Sequence, residues 1–334
     1  MIISKQLMRK TGLLFTLFLW INSTVFSQVN LFPVKMNNKW GFVDRSGKMV
    51  VNPEFDAVGS YAENFIPVKI GNAWGFADLT GKISINPQFT DVRSFSNGYA
   101  AVRVNGKWGF ISAKTKTLVT PQFSQVEDFS EGVAAVEIST SWAFVDTLGK
   151  IVINPQFSKA KKFSEGLAPV QIGLAWGFVN KADKYIITPQ FEKAEPFQEG
   201  LAAVRLNGKW GYINKEGAVI IPYQFNEASD FNDGCATVRL GNLWGYIGKD
   251  GSYIINPKFE DDINGEMDDK IFSEGLAAVR IDGKWGYINK SGKFIITPQY
   301  STAGKFQNGI APVKLNSKRG FIDKTGRTIW MQLN

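Results

Sequence analysis

The stretch LAAVRLNGKWGYINKEGAVIIPYQFNEASDFNDG, residues 201–234, decides the fold class. Its β-branched and aromatic runs are cut every few residues by turn signals, the pattern of short strands rather than helices. Asn207-Gly208 suits a two-residue type I′ hairpin, which needs positive φ at both central residues. A second turn closes on Gly217. The spacing predicts three strands, Ala202–Leu206, Lys209–Asn214 and Ala218–Ile221, with Pro222 ending the third because proline cannot donate to a ladder. The two-residue loop also sets the register: Leu206 faces Lys209, Arg205 faces Trp210, Val204 faces Gly211 and Ala203 faces Tyr212. Alternation then puts Ala202, Val204, Leu206 and Ile213 on one face, to be buried, and Arg205, Trp210 and Tyr212 on the other. Gly211 leaves room there for a close approach by another backbone or side chain.

Outward from this stretch the chain repeats itself. Trp40, Trp74, Trp108, Trp142, Trp176, Trp210 and Trp244 fall 34 residues apart, and Trp285 follows after 41. A ninth copy carries Arg319 at that position. Asn105-Gly106 and Asp282-Gly283 repeat the type I′ signal; Gly71-Asn72 and Gly241-Asn242 supply the type II′ form at the same place. A 34-residue period also suits helical tetratricopeptide arrays, but the strand-and-turn composition rejects that reading. The organisation expected is a leader over 1–27 and nine repeats over 28–334. Their approximate bounds are 31–64, 65–98, 99–132, 133–166, 167–200, 201–234, 235–275, 276–309 and 310–334, with an acidic insertion in the seventh.

The recurring pattern V-K/R-x-x-x-x-W-G-F/Y-I/V-D/N-x-x-G-K-x-I-I-x-P-x-F resembles the bacterial WG repeat, also called the KWG repeat. The resemblance spans about residues 31–330. It departs at the insertion and at Arg319, and terminal repeats are commonly atypical caps. It implies no biochemical activity that attaches to named residues.

Three-stranded units either stack into an open array or close into a ring. The unit is shorter than the ~40–45 residues of a four-stranded propeller blade, and nine exceeds the usual 4–8 blades. The fold expected is therefore all-β, an open β-solenoid or superhelical array of three-stranded repeats, with a closed β-propeller as the alternative.

Composition narrows the chemistry. The chain has no histidine, the residue most used for acid–base work near neutral pH and for metal ligation. Its one cysteine, Cys235, sits where other units carry Leu, Val or Ile and reads as a small buried apolar residue. Lys5, Arg9 and Lys10 followed by the apolar run Gly12 to Phe26, with Val25 and Ser27 before a cleavage point, read as a signal peptide that leaves Gln28 first. This predicts an exported protein, periplasmic or extracellular, with no transmembrane segment in the mature chain. Without the leader's three cations, 35 basic residues face 30 acidic ones, too mild an excess to argue for nucleic acid. No cofactor motif is present.

Two groups of residues are candidates for binding. Five residues before each tryptophan stands Lys35, Lys69, Arg103, Arg205, Arg239 or Arg280, with Lys314 in the ninth unit and Glu137 and Gln171 breaking the series. A cation across from an indole stacks on it for about 0.5–1 kcal/mol when exposed. Trp176, Arg205, Trp210, Arg239, Trp244, Arg280 and Trp285 thus form a possible ladder for a glycan or another extended partner, or else the cations cover tryptophans packed between repeats. In the insertion, Glu260, Asp262, Asn264 and Asp268 are spaced as in the first part of an EF-hand loop, but Ile271 stands where the closing carboxylate belongs. A solvated acidic loop is the plainer reading.

No catalytic constellation converges. Asp44, Asp78, Asp146 and Asp323 recur at one turn position, as turn-starting residues do. The function expected is a non-catalytic exported binding or scaffolding module for a protein, peptide or glycan; the alternative is a carboxylate-dependent hydrolase acting on envelope or extracellular glycans, since glycosidases need only two acids.

Overall fold

The computed structural model describes residues 31–260 and 270–332. The expected signal peptide, and Asp262, Asn264 and Asp268 of the candidate calcium loop, lie outside the described residues. Nine antiparallel sheets follow one another along the chain. The first is three-stranded: β1 (Phe32–Met36), β2 (Lys39–Val43) and β3 (Met49–Phe55). The second is a four-stranded meander of β4 (Ala57–Val58), β5 (Ile66–Ile70), β6 (Ala73–Ala77) and β7 (Ile83–Phe89). Most later sheets repeat this order, so a blade joins the two-residue strand at the end of one unit to the three strands of the next.

The hairpin forms in the expected register. Ala202 pairs with Ile213, Ala203 with Tyr212, Val204 with Gly211, Arg205 with Trp210 and Leu206 with Lys209. Asn207 and Gly208 both take positive φ, at 49° and 74°, as a type I′ turn requires. The third strand differs from expectation. It runs Val219–Phe225, through Pro222, because a bulge separates the Trp210–Phe225 pair from the Tyr212–Ile221 pair. This strand is the outer edge of the sheet, where a missing N–H costs nothing. Gly211 faces the bulge: a Cβ there would lie 2.6 Å from the Ile221 carbonyl oxygen. The room foreseen opposite Val204 is taken by this backbone.

Blades pack face to face through unlike surfaces. Trp142, Phe144, Ile153, Phe157 and Phe163 of one unit bury themselves with Ala168, Val170 and Val179 of the next. The same assembly recurs with Trp210, Tyr212, Ile221, Phe225 and Phe231 against Ala236, Val238 and Ile247. Phe231, 4.9 Å from Tyr212, plugs the gap on the return to the next blade.

The open array is corrected by the contacts between first and last units. Phe32, Val34 and Val43 share a core with Ile310, Phe321, Ile329 and Trp330, and the Phe32 and Phe321 rings are 5.3 Å apart. Arg45 donates to the Asn308 carbonyl, as Lys181 donates to that of Glu131 one blade back. The chain therefore closes as a nine-bladed β-propeller. Counting three strands per unit hid the fourth: a 34-residue unit makes a full blade by lending its tail to its neighbour.

Candidate functional site

Identical positions in neighbouring blades come closest next to the axis of a ring. Ser94 donates its hydroxyl to the Ser60 carbonyl at 2.6 Å, two residues at the same place in consecutive units. The return segment around these serines is thus the innermost part of the blade. Across four consecutive units its charges alternate, through Arg93, Glu127, Lys161 and Glu195. Arg93 lies 4.0 Å from Glu127 and 3.6 Å from Asp128, and Lys161 lies 2.5 Å from Glu195. Burial pushes the Glu127 carboxyl up, with Arg93 opposing it. In later units tyrosine replaces the buried phenylalanine and holds this segment from behind. Tyr212 Oη donates to the Ser229 carbonyl at 2.8 Å, Tyr246 Oη to that of Lys270 at 2.6 Å and Tyr287 Oη to that of Gly304 at 2.8 Å. Between the fifth and seventh units the inner wall opens into a groove of about 520 Å³, lined among others by Lys193, Glu195, Trp210, Glu227, Asp230 and Asn232.

A second set of contacts binds the blades at one end of the sheets. Glu165 accepts from the Gly200 N–H at 3.0 Å and pairs with Lys215 at 2.9 Å, both on the following blade. Glu199 does so with Gly234 and Lys249, and Glu274 with Gly309 and Lys324. Burial alone would raise these three carboxyls, but the lysine and glycine hydrogen bonds outweigh it and hold them below the ordinary range.

The structure places the sequence-derived candidates mostly between blades. Trp176 and Trp210 are 7% exposed, Trp244 4% and Trp285 2%, so their indoles form no open ladder. The cations do meet indoles: Lys35 with Trp40, Lys69 with Trp74, Arg103 with Trp108 and Arg239 with Trp244, each at 5.8–5.9 Å. Arg239 also pairs with Glu227 at 2.8 Å, and Arg205 with Glu192 at 3.5 Å. Arg280 lies opposite Trp285 in its hairpin. Of the calcium candidates only Glu260 is described; its carboxylate accepts from the N–H groups of Asp282 and Gly283. Cys235 is buried in an interblade core. Asp44, Asp78, Asp146 and Asp323 each accept backbone N–H bonds within their own turn. Sequence reasoning missed the inner ring, although the alternation of Arg93, Glu127, Lys161 and Glu195 at a fixed offset from four successive tryptophans was a visible signal.

Tandem blades, an interblade aromatic core and a charged inner rim define a β-propeller repeat protein. The chain belongs to the WG containing repeat family, which matches residues 40–72, 74–108, 108–139, 142–173, 176–210, 210–244, 244–285 and 285–318. No curated protein matches it. A solved structure described as a eukaryotic initiation factor is similar in fold, with a TM-score of 0.66 at 12% identity, covering 91% of this chain and 96% of that one. The haem enzyme NirN, dihydro-heme d1 dehydrogenase, covers 91% of this chain and 73% of its own at 11% identity, with a TM-score of 0.45. PorZ, a surface component of the type-IX secretion system of Porphyromonas gingivalis, reaches 0.36 at 8% identity, over 90% of this chain and 52% of that one. Both are superpositions too loose to argue from. Among the described residues no helix is long and apolar enough to cross a membrane.

Proposed function

We propose that this protein is a non-catalytic binding or scaffolding module, exported to the periplasm or exterior, that holds a peptide, protein or glycan on its inner ring. The observation that supports this reading is a division of labour within the repeat. The tryptophan, glycine and phenylalanine positions recur from unit to unit and are spent on packing. The inner positions vary around the ring, as in the series Ala57, Asp91, Gln125, Lys159, Lys193, Glu227, where only the two lysines repeat an identity. A rigid ring carrying different side chains at equivalent places is the form in which repeat proteins present extended binding surfaces. The recurring aspartates are engaged in turns, which favours structure over hydrolysis as their role.

The test is capture from envelope extract on the immobilised protein, compared with a Lys193→Glu, Glu227→Lys double variant. A partner retained by the parent protein and lost from the variant, at unchanged circular dichroism, supports the reading. Capture indifferent to these two residues, or turnover of a glycan by the purified protein, overturns it.

A further inference from the structure

The chain holds five Asn-Gly pairs, of which Asn97-Gly98, Asn105-Gly106, Asn207-Gly208 and Asn308-Gly309 are described and Asn264-Gly265 is not. In such a pair the glycine amide nitrogen, unhindered by a side chain, attacks the asparagine Cγ when the two are free to meet. Three of the four described pairs have the glycine N–H held by a carboxylate. Gly98 donates to Glu63 at 2.9 Å, Gly309 to Glu274 at 2.9 Å, and Gly208 to the two oxygens of Glu192 at 3.1 and 3.2 Å. Asn97 is held as well, its Nδ2 donating to the Phe129 carbonyl at 2.8 Å. Asn105-Gly106 lacks both restraints. It forms the same type I′ turn as Asn207-Gly208, with φ of 49° and 77°, but Thr90 stands at the Glu192 position. Thr90 turns its hydroxyl away, donating to the Arg103 carbonyl at 3.0 Å. Among the described residues nothing accepts the Gly106 N–H or holds the Asn105 side chain, and both residues are exposed. The space beside the Gly106 Cα is open.

We infer that Asn105 is a site of spontaneous deamidation in the folded protein, with water as the only co-reactant. The Gly106 N–H gives its proton to water, and the nitrogen forms a bond to Asn105 Cγ. The C–N bond of the side-chain amide breaks; its nitrogen takes up a proton and leaves as ammonia, and a cyclic succinimide remains. Water then opens that ring at either carbonyl, giving aspartate or isoaspartate at position 105. Charge sets the order among the pairs. A carboxylate against an N–H opposes the loss of its proton, and nearby cations favour it. Gly98, Gly208 and Gly309 each face a carboxylate. The open pair is flanked instead by Arg103 and Lys107, the latter reaching the Ser124 hydroxyl at 3.2 Å. The isoaspartate product carries an extra methylene in the main chain, which the tight turn joining Tyr99–Val104 to Lys107–Ser112 has no room for. Either product sets a new carboxylate between those two cations. Among the described hairpins, that of the third blade is therefore the one whose charge and register change as the molecule ages.

The experiment ages the full chain for several weeks in mildly alkaline buffer and follows each Asn-Gly peptide by mass spectrometry, which reads the change from amide to acid. The Asn264 peptide is resolved separately and does not enter the comparison. Asn105 should convert at least about tenfold faster than Asn207, the effect of one hydrogen bond to a charged group. Thr90→Glu, which sets a carboxylate at the Gly106 N–H, should slow Asn105 to the rate of Asn207. Glu192→Ala should speed Asn207 to that of Asn105. Both rates are read within one molecule, so a general loosening of the fold moves them together and does not mimic the exchange. Equal rates at Asn105 and Asn207 in the parent protein overturn the inference. So do variants that leave the two rates as they were.

Discussion

At the scale of single residues, the tryptophans are structural wedges. Trp176 lies in one core with Phe178, Phe191 and Phe197 of its unit and Ala202 and Val204 of the next. Trp176→Ala removes the wedge and should destabilise the protein by about 3–5 kcal/mol, as large-to-small changes at aromatic core sites do. Trp40, only partly buried, should cost less under the same change. Chemical denaturation of the two variants checks the ranking, and equal small losses would return the indoles to the surface. The hairpin register was legible here residue by residue, because a two-residue turn and a period of two leave no freedom. The bulge at Pro222 was not, since the proline rule forbids ladder donation and says nothing of an edge strand that needs none.

At the scale of elements, the tail of the unit was the part that could not be read. A two-residue strand such as Lys193–Ala194 shows no alternation, so periodicity gives it no signal. Its neighbouring turn carries the glutamate clasp, which makes a prediction in pH. Glu165, Glu199 and Glu274 have carboxyls held below their ordinary range in the fold. The unfolded chain therefore takes up these protons at a higher pH than the folded one. The stability they contribute is complete above the unfolded value of about 4.3 and disappears as pH falls through the folded values. Replacing all three by glutamine should lower the melting temperature at pH 7 and flatten its decline below about pH 4.5. An unchanged melting temperature at neutral pH, with the parent's acid profile, would show the clasps to be idle.

At the scale of the whole molecule, the class and the repeat were plain in the chain, while closure was not. Closure depends on the angle between blades, set by how a tryptophan face meets an aliphatic face across units, and no spacing of letters encodes it. The ring has consequences an open stack lacks. Small-angle scattering should give the profile of a hollow disc rather than a rod. Each blade is held from both sides, so opening should begin at the joint between the first and ninth, where Phe321 and Pro312 are least covered. Hydrogen exchange should be fastest in those two blades; uniform protection around the ring would contradict the weak joint.

The faces that meet at every blade boundary are unlike, an aromatic one against an aliphatic one, and they meet in the same sense all the way round. Head-to-tail contacts of this kind have two outcomes, a closed circle or an endless chain, and only the turning angle chooses between them. A molecule whose joint has sprung open would offer the ninth blade's Phe321 face at one end and the first blade's Phe32 face at the other. Each is already shaped for its opposite on a neighbouring copy, so the same contact that seals one ring would, between molecules, string them into a filament.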